Sequence, residues 1–108
     1  PLREQGVLIV GSGNVVHNLA RLDWEKRGGY PWAVEFDGYI KEKILAREYE
    51  SVIRYKNAGP SAELAFSRPD HFYPLLYALG AAEESDTISV YNDACTLGSI
   101  SMTSYLFS

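Results

Sequence analysis

The 108-residue sequence predicts an α/β fold, a mixed sheet flanked by helices. Three observations predict it. A short apolar, β-branched run, Gly6 to Val10, ends on a Gly-Ser-Gly turn. Apolar residues recur at helical spacing from Phe36 to Leu45. Near the C-terminus, "DTISVYND" and "GSISMTSYLFS" alternate and are rich in β-formers.

The elements follow in order. Gly6 to Val10 reads as a buried strand, because it is short, apolar and bounded by glycines. Asn14 suits an N-cap, with a short helix from Val15 to about Leu22. "KRGGYPW", Lys26 to Trp32, carries loop breakers. Ala33 to about Tyr55 reads as helical, with Phe36, Tyr39, Ile40, Ile44 and Leu45 on its apolar stripe. A break is expected near Arg47 to Glu50, with Ser51 capping a second helix. Asn57 to Pro69 reads mostly as loop, and Ser67 with Asp70 resembles a capping box. The next helix is "PDHFYPLLYALGAA", ending near Gly80. Two strands then flank the turn Asn92-Asp93-Ala94.

Composition bounds the function. With 46% hydrophobic and 22% charged residues, the chain has the make-up of a soluble globular protein. A net charge of −4, with basic residues scattered, argues against nucleic acid as a partner. No apolar run is long enough for a membrane span. Cys95 is the lone cysteine, so no internal disulfide is available and a cytoplasmic setting is expected. The chain opens on Pro1 and its only methionine is Met102. It is therefore expected to be a piece of a longer polypeptide, with residues 1–108 forming a single partial domain.

Several residues carry candidate chemistry. "GSGNVVHN" follows a strand, as a phosphate-binding loop would, but Val16 stands where a dinucleotide fingerprint has its third glycine. Free N–H groups near Asn14 leave some anion affinity open. His17 is expected in the first turn of a helix, at the sheet edge where α/β proteins bind ligands. The positive helix end would keep its imidazole neutral, as a metal ligand or general base requires. A histidine packed under the turn is the structural alternative.

His71 falls at the start of its own helix. Pro74 lies three residues on and should kink that helix. A polar residue ending an apolar helix is the alternative reading here. Two histidines give at most two of the three protein ligands a catalytic metal usually takes. Asp70, Asp93, Glu35 or Asp37 are candidates for the third, completing a two-histidine, one-carboxylate set. Tyr30, Trp32, Phe36 and Trp24 read as core and loop anchors, although "YPW" is placed to wall a pocket for a planar aromatic. Cys95 reads as a small buried residue. Ser12 lacks the spacing of a nucleophile elbow.

Three blocks, "VLIVGSGNVVHNL", "YPWAVEFDGYI" and "RPDHFYPLLYALGAA", and the tail "GSISMTSYLF" resemble the C-terminal half of the class III extradiol ring-cleavage dioxygenases, DOPA 4,5-dioxygenase type. The resemblance spans nearly the whole chain. It implies the C-terminal part of that α/β fold, and opening of a catechol ring with O2 at non-haem Fe(II), a site zinc is also able to occupy. It places His17 at the metal centre, as acid/base and metal-contacting residue, and His71 as the last metal ligand. Asp70 stands where a glutamate is common in the family. It also implies that two further histidine ligands belong to an N-terminal half absent from these 108 residues. The fragment alone is then expected to be inactive, and to associate with that half or to form a homo-oligomer. The rival expectation is a non-catalytic metal-binding or interaction module of the same fold; a nucleotide-binding fragment is a weaker third.

Overall fold

The computed structural model describes residues 1–108 throughout. Helix α1, Pro31–Leu45, starts two residues before the expected position. Proline suits that first turn, because its fixed φ is already helical and its missing N–H has no partner to lose. The helix stops where Arg47 takes a left-handed φ of 60°. There the Arg47 and Glu48 N–H groups donate to the carbonyls of Ile44 and Lys43, at 3.0 and 2.8 Å. The break expected near Arg47 to Glu50 is therefore present, and α2, Tyr49–Ile53, follows it. Ser51 lies inside α2 and does not cap it.

A third helix, α3, Pro60–Ala65, occupies a stretch the sequence reads as loop. Its Gly-Pro start looks like a turn, yet Gly59 at φ 91° redirects the chain and Pro60 begins a helix. Ser61, Ala62 and Ala65 are buried, small enough for α3 to lie against α1. After a 3-10 turn at Pro69–His71 comes α4, Tyr73–Ala81. Pro74 sits in the first turn of α4, where no N–H is needed, so the expected kink does not arise. The Ser67–Asp70 capping box does not form either; no side chain caps that 3-10 turn.

Strands β1, Ile88–Tyr91, and β4, Ser104–Phe107, pair antiparallel, with Ile88 opposite Phe107 and Tyr91 opposite Ser104. A smaller hairpin lies between them in sequence: β2, Cys95–Thr96, and β3, Ile100–Ser101. The turn at Asn92–Ala94 therefore leads into β2, not directly back to β4. Asn92 takes φ 50°, a conformation asparagine tolerates better than most residues.

Two expected elements are missing. Gly6–Val10 forms no strand. None of the Leu8–Val10 N–H groups donates a backbone hydrogen bond, and Leu8 and Val10 are 78% and 75% exposed. An apolar run on both faces becomes a buried strand only with sheet neighbours on either side, and here it has none. The helix expected from Val15 to Leu22 is reduced to a 3-10 turn at Leu19–Arg21.

The core forms on one face of α1. Ala33, Phe36, Ile40 and Ile44 are all buried at helical spacing. Phe36 meets Phe66, Phe72 and Tyr55, with ring centroids 5.9, 6.1 and 6.5 Å apart. Tyr30 and Trp32 stack on each other and pack against this core. Trp24, read as an anchor, is 78% exposed and anchors nothing. At the other end, Arg3 grips Asp86 through two bonds of 2.6 and 2.8 Å and holds its carboxyl down to about 2. No helix is long and apolar enough to cross a membrane.

Candidate functional site

His17 is carried by extended backbone, not by a helix. Its neighbours Val15 and Val16 are buried in the core. Its N–H donates to Ala65 at 2.8 Å, and it forms isolated bridges with Phe66 on one side and Ile100 on the other. The next residue repeats the pattern. Asn18 donates from its backbone to Ser99 at 3.1 Å and from its side chain to Leu64 at 2.7 Å. Ser99 returns a bond from Oγ to the Asn18 carbonyl, 2.7 Å. His17 is thus a rung between the end of α3 and β3.

His71 closes the 3-10 turn before α4. The Gly-Ser-Gly stretch passes directly against this turn. A Cβ on Gly13 would overlap the His71 carbonyl oxygen and lie 3.2 Å from Pro74 Cγ. A Cβ on Gly11 would overlap the Pro74 carbonyl oxygen. The glycines therefore serve close backbone approach. Asn14 N–H donates to the His71 carbonyl at 2.8 Å, so the amide read as free for an anion is used, and no helix follows to supply others. The nucleotide reading loses its basis.

These two docking events bring the histidines together. The His17 and His71 rings stack with centroids 3.9 Å apart and planes 22° apart. His17 is half-buried and His71 is exposed. Burial lowers the pKa of His17, and the nearby His71 lowers it further; a hydrogen bond with its own backbone acts in the opposite direction. Its imidazole is thus biased toward the neutral form, as expected from the sequence, but for a different reason. The helix end invoked for it does not exist.

No carboxylate joins the pair, and no group of three histidine, cysteine or acidic side chains is placed to hold a metal. Asp70 and Glu35 are exposed. Asp93 pairs with Lys41 at 2.7 Å. Asp37 is buried and accepts bonds from the Ser101 and Thr103 hydroxyls. None of the four candidates for a third ligand joins the two histidines in a group placed to hold a metal.

His71 lines one cleft, of about 510 Å³, together with Gly11, Gly13, Leu75 and Tyr105. Tyr30 and Trp32 line a separate open hollow with Ala20, Arg21 and Leu22, which includes neither histidine. Cys95 is half-buried; burial, and then Asp37 and Asp93, push its thiol up to about 11. That is far from a nucleophile. Sequence reading missed Asn18, Ser99 and Ser101; for the two serines the signal lay in small polar residues alternating inside the C-terminal apolar tail.

Residues 2–108 match the family described as the catalytic LigB subunit of aromatic ring-opening dioxygenase. Among curated proteins, the chain is similar to 4,5-DOPA dioxygenase extradiol of Beta vulgaris, 36% identical over 107 residues, covering 99% of this chain and 40% of the relative. The protein of the same name from Mirabilis jalapa is 43% identical over 82 residues, covering 76% and 31%. That from Escherichia coli K12 is 36% identical over 107 residues, covering 95% and 39%. The chain thus spans about two fifths or less of these relatives. A crystal structure of an uncharacterized Escherichia coli K12 protein superposes with a TM-score of 0.87 at 35% identity, over 96% of this chain and 44% of that one. The mixed α/β fold expected from the sequence agrees with that likeness.

Proposed function

The chain belongs to the LigB family of aromatic ring-opening dioxygenases, and from that premise we propose that it is a partial domain supplying two site histidines to an extradiol enzyme acting on DOPA-like catechols. One observation carries the reading. His17 and His71, distant in sequence, stack at 3.9 Å, and His71 lines a cleft.

The donor chemistry fits a non-haem iron site, since imidazole suits iron and zinc alike. The number of donors is two, so in this reading further ligands come from outside these 108 residues, as the family resemblance implies. Bound Fe(II) would supply the redox chemistry that O2 activation needs; zinc would occupy the same donors without it. His71, exposed on its turn, is the ligand. His17, biased neutral, either contacts the metal or accepts a catechol proton and returns it during ring opening. The substrate is a small aromatic catechol with O2, and the fragment alone is inactive. The lone Cys95 suits a cytoplasmic setting.

A second reading, an interaction module without catalysis, draws on the exposed Leu8 and Val10. The same apolar stretch supports association with a missing N-terminal half, or a homo-oligomer. A monomer by light scattering counts against the oligomer.

The test is ring cleavage, followed by the yellow semialdehyde product, with the full-length parent and Fe(II). His17→Ala should lower turnover, and His71→Ala should mainly weaken metal retention. No cleavage with any of several catechols refutes the enzymatic reading. Unchanged metal retention in His71→Ala refutes the ligand assignment, and turnover by the 108-residue chain alone refutes its inactivity.

A further inference from the structure

Asp37 interrupts the apolar face of α1. It lies between Phe36 and Ile40 and is 5% exposed. It has no cation bonded to it, since the nearby Lys41 places its Nζ on Asp93. A buried carboxylate without a cation is costly unless hydrogen bonds compensate it. Two hydroxyls do so. Ser101 Oγ donates to one carboxylate oxygen, and Thr103 Oγ1 to the other at 2.7 Å. Both donors are themselves buried, at 1% and 8% exposure.

What these bonds fix lies next to the histidines. Ser101 N–H donates to the Val16 carbonyl at 3.0 Å. The Ser101 carbonyl accepts from Asn14 Nδ2 at 2.7 Å. Asn14 in turn donates its backbone N–H to His71 at 2.8 Å. Every polar group of Ser101 is thus committed: its side chain to Asp37, its backbone to the Asn14–His17 segment that meets His71.

We propose that Asp37 is the positioning residue of the histidine pair, holding the Ser101–Thr103 segment from α1 so that the Asn14–His17 segment docks with the His17 ring against His71. The inference rests on the ring-opening reading only for its functional meaning; the geometry stands by itself. Asp37 touches neither histidine and is not a ligand.

The test is solution NMR of the labelled full-length parent without metal, reading the nuclear Overhauser effects between the His17 and His71 rings and the amide shifts of Asn14 to His17. Asp37→Ala should weaken the inter-ring effects several-fold and move those amides. Asp37→Asn retains an acceptor for one hydroxyl and should restore most of the signal. Ser101→Ala deletes only the hydroxyl, keeps the backbone bonds to Val16 and Asn14, and should give a smaller loss. It decides the matter if Asp37→Ala does not fold. Ile44→Val, a loss of core packing elsewhere on α1, should leave the ring contact intact. Unchanged inter-ring effects in the folded Asp37 and Ser101 variants overturn the proposal, as does an equal loss in Ile44→Val. A parent inactive toward catechols with these shifts still observed defeats the ring-opening reading and leaves the positioning role standing.

Discussion

Replacing Gly13 by alanine sets a methyl group against the carbonyl of His71. The obstacle is backbone, with the His71 carbonyl carbon 3.0 Å from the new Cβ and the Pro74 ring 3.2 Å away. Neither moves without shifting the whole 3-10 turn before α4. Forcing a group into such a contact costs about 1–3 kcal/mol. Separation also weakens the Asn14 N–H bond to His71, now 2.8 Å, worth about 1 kcal/mol. The expected loss is about 2–4 kcal/mol. For a chain of this size each kcal/mol lowers Tm by roughly 4–8 °C, so the Tm should fall by about 8–30 °C. Gly38→Ala is the matched control. Nothing lies within 4 Å of its Cβ position, and it sits inside α1. Removing a mid-helix glycine there should stabilise by about 0.5–1 kcal/mol. The two variants add the same methyl group and should move Tm in opposite directions. A drop of less than about 4 °C for Gly13→Ala, under 1 kcal/mol, refutes the close-approach account of the glycine turn.

Phe36→Ala removes the ring that Phe66, Phe72 and Tyr55 surround. It should cost about 3–5 kcal/mol in urea unfolding, and a loss below about 2 kcal/mol would mean the core lies elsewhere. The lowered pKa of His17 also fixes a pH trend. Protons bind the unfolded histidine, near 6.5, more readily than the folded one. The stability this contributes is therefore complete above the unfolded value and is lost as pH falls through the folded one. His17→Gln should flatten the part of the curve where pH falls below the unfolded value of about 6.5. An identical acid-side slope in wild type and variant would contradict the burial of His17.

Much of the helical layer was legible because its signals are local. The stripe through Phe36, Ile40 and Ile44, and the break near Arg47, follow from side-chain period and turn chemistry over a few residues. Helix α3 was hidden because Gly59-Pro60 has the same local look whether it ends a segment or begins one. Pro74 shows the same ambiguity: a 3-10 turn takes Pro69–His71, α4 starts only at Tyr73, and the expected kink becomes an ordinary first turn. The run Gly6–Val10 fails for another reason. A strand is completed by its neighbours, and its own residues cannot provide them.

The sequence by itself determined the α/β class, the core face of α1, the family resemblance and the choice of His17 and His71, since these depend on residue type and short-range order. Tertiary structure decided the rest. It put His17 on an extended rung and not on a helix, stacked it on His71, and turned the glycines from a supposed phosphate cradle into a close crossing of two backbones. It also moved Asp37 from possible ligand to buried acceptor of two hydroxyls. Each of these depends on which distant segments meet, and such contacts between residues far apart in the chain leave no periodic trace in it.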